Sequence, residues 1–243
     1  MKRLYVFVVC FFLAFNLAAQ DSGFHFKEIF SSPVQNAQLS LGLNTLEGFS
    51  SAQWIFDAAY NIYNDNFSAN CGFEAKYGNF QFTFKPLFWF FKMQKFKIGA
   101  NIIYNLDFYQ NISVTSNILL GVDLFWNPIK WYKISFTADY FLKLRTIHAI
   151  EAYKPCLVNN TLAFVFSNTF ILPKNFSVIL ELSSIEPFRL LILGAPSFTI
   201  GTMYSIKNKI DIIAKATVRY IDFFTISSHY EESLYSLGVR YSW

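Results

Sequence analysis

The stretch Phe96-Lys97-Ile98-Gly99-Ala100-Asn101-Ile102-Ile103-Tyr104-Asn105-Leu106-Asp107-Phe108 decides how the whole chain is read. Phe96, Ile98, Ala100, Ile102, Tyr104, Leu106 and Phe108 share one parity, and none carries a charge. Lys97, Gly99, Asn101, Ile103, Asn105 and Asp107 share the other, with Ile103 as the apolar exception. Side chains that alternate at 180° per residue belong to a strand with two unlike faces. A strand in a soluble domain averages about 5–6 residues. This one is as long as a tilted strand that crosses a membrane, which needs roughly 9–11.

The pattern repeats in both directions. Tyr132, Ile134, Phe136, Ala138, Tyr140, Leu142 and Leu144 form an apolar row opposite Lys133, Ser135, Thr137, Asp139 and Lys143. Ile210 to Tyr220 does the same, with Asp211, Lys215, Thr217 and Arg219 on the polar side. Twelve such segments are predicted, at about 35–45, 51–63, 67–77, 80–91, 95–109, 112–126, 131–146, 157–171, 175–184, 195–206, 209–221 and 233–243. Ten or fourteen strands are the alternatives the spacing leaves open, and Phe188–Leu193 is a candidate upward extension of the tenth. No Lys, Arg, Asp or Glu falls on the apolar face of a well-patterned segment. That face is too wide for one sandwich core. A closed barrel in lipid accounts for it, because closure leaves no backbone N–H or C=O unpaired in hydrocarbon. The fold class is therefore all-β, a transmembrane antiparallel up-and-down barrel over 35–243.

Composition agrees. The 243 residues are 53% hydrophobic, 20% aromatic and only 15% charged, with a mean hydropathy of +0.30. A soluble domain carries roughly 25% charged residues. Disordered chains lack this aromatic and apolar content. A net charge of +4 from scattered basic residues gives no footprint for nucleic acid.

Met1-Lys2-Arg3, the apolar run Leu4–Leu17 and the small pair Ala18-Ala19 have the layout of a secretory signal, with cleavage expected after Ala19. After Gln20 there is no apolar run of the ~18 residues that a spanning helix requires. Residues 20–34 are not clearly a strand. Ser31-Ser32-Pro33 breaks a weak alternation, and the segment is expected to plug the lumen, cover the periplasmic opening or stay loose.

Connections sort by length. Asn64-Asp65-Asn66, Met93-Gln94, Asn127-Pro128, Pro173-Lys174-Asn175 and Lys207-Asn208-Lys209 are tight and built from turn formers. They alternate with longer ones near 147–156, 184–194 and 222–232, Gly78-Asn79 being the expected short exception. Outer-membrane barrels have short periplasmic turns and longer extracellular loops. On that pattern both termini are expected in the periplasm. Trp54, Tyr60, Tyr77, Trp126, Tyr132, Tyr204, Tyr220 and Trp243 sit near strand ends, where interfacial aromatic girdles belong.

At the C-terminus Tyr235, Leu237, Val239, Tyr241 and Trp243 alternate with Ser236, Gly238, Arg240 and Ser242. This resembles the terminal β-signal of bacterial outer-membrane proteins, most of which end in Phe. Over 35–243 the chain resembles the outer-membrane β-barrel class as a whole. The resemblance implies a bacterial outer-membrane location, lipid as the surrounding partner and the barrel-assembly machinery as reader of the last strand. In size and strand count alone the chain is similar to acidic-oligosaccharide porins and to the outer-membrane phospholipase. The former depend on an arginine-rich track, and here only Arg145, Arg219 and Arg240 are candidates.

The parity rule places Asp57, Glu74, Lys76, Lys85, Glu181 and Asp211 inward. Lys97, Asp107, Asp123, Lys133, Asp139, Lys143, Arg145, Lys215, Arg219 and Arg240 are the candidate pore-lining residues. Mixed signs with a slight basic excess fit two interiors, a narrow water-filled channel of weak anion preference or a closed, salt-bridged plug. The expected function is passive passage of small solutes or ions. A closed surface-contact barrel acting through its loops is the alternative, and a membrane hydrolase the weaker one. His25, His148 and His229 form no recognisable catalytic arrangement, no G-x-S-x-G elbow is present, and the phospholipase His–Ser spacing is absent. No catalytic residue, metal or cofactor is expected, since no Gly-rich phosphate loop or ligand pair occurs. Cys71 and Cys156 read as unrelated thiols, and Cys10 lies within the signal.

Overall fold

The computed structural model describes residues 34–46, 52–76, 79–109, 113–147, 156–184, 196–207, 209–220 and 230–243. These residues form twelve strands: β1 (Val34–Leu46), β2 (Ala52–Tyr63), β3 (Phe67–Lys76), β4 (Asn79–Lys92), β5 (Phe96–Tyr109), β6 (Ser113–Ile129), β7 (Tyr132–Ile147), β8 (Cys156–Leu172), β9 (Phe176–Ser183), β10 (Ser197–Ile206), β11 (Ile210–Tyr220) and β12 (Tyr230–Ser242). Each pairs antiparallel with its neighbours in chain order, and β12 pairs with β1 to close the barrel. The twelve predicted segments each match one strand to within a few residues. The signal at 1–19, the segment at 20–33, Tyr77, Phe188–Leu193 and all three histidines lie outside the described residues.

Closure runs from Asn36↔Ser242 to Leu46↔Glu232, and the Trp243 amide donates to the Gln35 carbonyl at 3.1 Å. Both chain ends of the barrel therefore meet on one rim. The five connections on that rim span only 64–66, 93–95, 130–131, 173–175 and 207–209. The other rim carries the longer ones, 148–155, 184–196 and 221–229, and its shortest is 77–78. Turn chemistry explains the tight rim. Asn64 Oδ1 accepts from the amides of Asn66 and Phe67 at 2.9 and 2.8 Å, closing an Asx turn. Lys174 and Asn175 both take the left-handed backbone, at φ 62° and 60°. The register shifts at Trp89/Phe91 and Trp126/Ile129 also sit toward this rim, where bulges let strands leave the ladder.

Parity assigns strand residues to faces, and among the described side chains the outer face is free of charge. Its side chains include Leu39, Leu41, Phe82, Phe84, Leu120, Val122, Ile200, Ile212, Leu237 and Val239, all exposed. In water such a continuous apolar surface would be a large liability; against lipid it is what holds the barrel in place. Two polar pairs on this face are hydrogen-bonded or in contact. Tyr132 Oη donates to Asn168 Oδ1 at 2.6 Å, and the hydroxyls of Tyr104 and Ser116 lie 3.3 Å apart. Aromatic rings gather at the tight rim, where Trp243 lies 6.0 Å from Tyr60 and 5.8 Å from Tyr241. Cys71 is a free, exposed thiol on the outer face.

Leu41 is mid-strand on this face, between Phe56 and Leu237. Leu41→Arg is expected to lower folding stability in vesicles by about 2–4 kcal/mol, the cost of a cation at the bilayer midplane. A urea titration followed by the boiling-dependent gel shift measures it. An unchanged midpoint would mean that this face does not meet hydrocarbon.

Candidate functional site, the barrel lumen

The lumen has two unlike halves. On β4 to β7 the inner face is packed. Asn117, Leu119, Asp107 and Asp139 are each less than 2% exposed. Leu87, Leu119 and Phe141 are apolar side chains turned inward and buried there. Trp89 and Phe125 meet with ring centroids 6.5 Å apart toward the tight rim, and the Lys97 ammonium lies 5.9 Å from the centre of the Trp89 ring.

Two of the carboxylates buried in this wall, Asp107 and Asp123, are held by cross-strand donors. Asp107 accepts from Thr115 Oγ1 at 3.3 Å and from Asn117 Nδ2. Asp123 accepts from Thr137 Oγ1 at 2.6 Å and from Asn101 Nδ2, with Lys85 Nζ at 3.8 Å. Asp139 occupies the space over Gly121, where a Cβ would collide with the Asp139 carboxylate and the Ala138 carbonyl. Gly121 is thus required by close approach rather than by backbone conformation.

The other half, bounded by β8–β12 and β1–β3 with Gln81 and Thr83 of β4, holds a cavity of about 530 Å³. Most of its lining side chains are short: Ser40, Gly72, Ser167, Thr199, Gly201 and Ser236. Its ionisable lining among the described residues is Asp57, Glu74, Glu181 and Lys215.

The ten candidate pore-lining residues fall into distinct environments. Asp107, Asp123 and Asp139 are buried in the packed wall, and Lys215 borders the cavity. Lys97 lies 3.9 Å from Asp65 of the β2–β3 turn. Lys133 pairs in register with Thr169, which borders the cavity. Lys143 and Arg145 stand in register with Asn117 and Thr115, and their side chains lie outside the described residues. Arg240 Nε donates to Asp211 Oδ2 at 2.8 Å, its Nη2 lies 2.6 Å from the same oxygen, and Ser205 Oγ donates to Asp211 Oδ1 at 2.5 Å. Arg219 pairs with Glu232 near the opposite rim, where Asn44 Nδ2 also donates to Glu232. The cavity carboxylates belong to the wider inward set. One sequence signal separates the halves. The inward rings of Trp89, Phe125 and Phe141 fall on β4–β7, whereas the cavity side carries smaller apolar residues, Ile55, Ile179, Ile213 and Leu234, among its Gly, Ser and Thr.

A closed antiparallel barrel with an uncharged apolar exterior and a polar interior defines the class: this is the fold of bacterial outer-membrane β-barrel proteins. Solved structures of that class superpose on it. The NanC porin does so with a TM-score of 0.60 at 12% identity, covering 84% of this chain and 98% of that one. The KdgM porin in complex with disordered oligogalacturonate gives 0.57 at 10% identity, over 85% and 99%. An outer-membrane channel from Pseudomonas putida F1 gives 0.54 at 7% identity, over 87% and 95%. No family profile matches the chain, and no curated protein does.

The Arg240–Asp211 pair tests the energetics of the interior. Arg240→Met leaves the largely buried Asp211 carboxylate without its cation, and a loss of about 1–3 kcal/mol is expected. Removing both charges, as Arg240→Met with Asp211→Leu, should restore most of it, because the desolvation cost disappears with the pair. Urea midpoints of the two variants in vesicles decide this.

Proposed function

We propose that this protein is an outer-membrane channel through which small hydrophilic solutes or ions pass by diffusion. The observation that carries the reading is the polar cavity of about 530 Å³ inside a closed barrel of twelve strands. Water-filled space bounded by Ser, Thr, Gly and a few ionised groups solvates small polar molecules without binding them tightly. The packed half narrows the passage, so the route runs along the β8–β12 and β1–β3 side. Lys215 borders that route, and Lys133 stands in register with Thr169 of its lining.

The tight rim faces the periplasm and the longer connections face outward, following the division seen in outer-membrane barrels. The outermost pair of rings, Tyr241 and Trp243, with Tyr235, Leu237 and Val239 behind them, forms the signal that the assembly machinery reads. The protein is not an enzyme on this reading. The KdgM porin structure is of a complex with disordered oligogalacturonate, whereas here Arg219 and Arg240 are each paired with an acid. The solute class is therefore read from this chain's own lining.

Single-channel recording of the refolded protein in a planar bilayer tests the reading. Discrete conductance steps are expected, and Ser167→Trp, which projects an indole into the cavity, should reduce step size by about half or more. A folded barrel that stays silent would instead establish the closed, loop-acting alternative. For the assembly signal, deletion of Trp243 is expected to lower the amount of folded, heat-modifiable protein in outer membranes. An unaffected yield would remove this strand from that role.

A further inference from the structure

We infer that the tight rim binds the head groups of anionic phospholipids in the leaflet it enters, and this holds whether the lumen is open or closed. Six lysines stand on that rim. Lys95, Lys130, Lys174, Lys207 and Lys209 lie in its turns, and Lys92 ends β4. All six are exposed. The β4–β5, β6–β7, β8–β9 and β10–β11 turns follow one another around the barrel, so the lysines form an arc that leaves out only the β2–β3 turn and the seam. Their charge is not cancelled within the described rim. Lys92 donates to Asn66 Oδ1 and Lys95 to the Pro128 carbonyl at 3.0 Å, both neutral acceptors. The rim acids Asp65 and Asp211 each lie beside a different base, Lys97 at 3.9 Å and Arg240 at 2.6 Å. The stretch 20–33, which enters the barrel at Val34 on this rim, brings Asp21, Lys27 and Glu28. Even with a main-chain carboxylate at Trp243, these acids are too few to offset six ammonium groups, and Lys133 at the start of β7 adds a further cation.

The lysines also sit at the edge of the apolar face. Lys92 lies between exposed Phe91 and Met93, and Lys130 between exposed Ile129 and Trp131. Lys207 follows exposed Ile206, and Lys209 precedes exposed Ile210. Lys95 and Lys174 come two residues after exposed Met93 and Leu172. At each of these turns a lipid-facing apolar side chain gives way to an ammonium within one side chain's reach. That is the depth at which phosphate groups lie, and a lysine stem can follow the apolar surface to it. An arc spread over four successive turns meets lipid along most of the barrel's girth, whereas a soluble acidic partner would need its charges gathered on one patch. The other rim lacks the pattern, since its connections hold Glu47, Glu151, Glu186 and Asp222 against Lys154 and Arg189. Each lysine beside an anionic lipid surface is worth roughly a fivefold gain in association.

The test places the refolded full barrel in phosphatidylcholine vesicles that carry a trace of spin-labelled phosphatidylglycerol or of spin-labelled phosphatidylcholine. Electron paramagnetic resonance then gives the relative association of the two lipids with the barrel. A phosphatidylglycerol-to-phosphatidylcholine ratio above one is expected. Potassium chloride at 1 M, where the Debye length is about 3 Å, should bring it close to one. Lys130→Gln, Lys174→Asn, Lys207→Asn and Lys209→Gln together should lower the preference by about half or more. Asn suits the left-handed backbone of Lys174 and Lys207, at φ 62° and 50°. The boiling-dependent gel shift checks that the variant is folded; if it is not, Lys207→Asn with Lys209→Gln and the salt dependence of the unaltered barrel decide. Equal association of the two lipids with the unaltered barrel overturns the inference, as it would if the arc served a soluble acidic partner. A preference that survives both salt and the substitutions overturns it as well, because the rim lysines would then not be its source.

Discussion

A strand in hydrocarbon has nowhere to place an unpaired backbone N–H or C=O, and the rest of this structure depends on that constraint. The pairing of β1 with β12 meets it, since without this seam two edges would face lipid. Antiparallel closure of an even strand number brings both chain ends to one rim. It also fixes parity around the barrel, because a slip of one residue anywhere would turn a whole strand's charges outward. The uncharged outer face is thus less a set of separate choices than one register, repeated twelve times.

Closure then dictates the interior. Polar residues turned away from lipid must find partners or water, and the two halves of the lumen meet this demand differently. The β4–β7 wall uses protein partners: Thr115 and Asn117 serve Asp107, and Thr137 and Asn101 serve Asp123. Leu119 and Phe141 fill the remaining space with dry contact. In the other half Ser40 donates to Asp57 and Arg240 to Asp211, and Asp57 also borders the open cavity. Removing a donor from a buried carboxylate strands its charge, so Thr115, Asn117, Thr137 and Asn101 have little freedom to change, whereas the short side chains lining the cavity can vary at smaller structural cost.

The barrel was legible because the lipid boundary writes itself into every second residue. Phe96–Phe108 and Tyr132–Leu144 carry that boundary without ambiguity. What each inward charge does was not legible. Asp107 and Asp57 occupy equivalent positions in equivalent alternations, yet the first is buried under Asn117 while the second borders open space. The difference comes from side chains on neighbouring strands, set by register and by how far the inner face is filled. Arg219 and Arg240 read as candidates for an arginine track. Their acids, Glu232 and Asp211, are brought alongside only by the β11–β12 pairing.

The closing seam and the open cavity share one cause. At the seam Gly238 faces Ser40, and a Cβ on Gly238 would come within 2.8 Å of the Ser40 Cβ. Gly42 stands next to Ser236 in the same ladder, with similarly little room. Two strands from opposite ends of the sequence can therefore approach closely only with small inward side chains. Small inward side chains are also what leave a lumen empty. The inward rings of Trp89, Phe125 and Phe141 fall on β4–β7, within hairpins whose strands are close in sequence, whereas Ser40, Gly42, Ser236 and Gly238 stand at the seam. On this argument the position of the open cavity follows from the place where the sheet is joined.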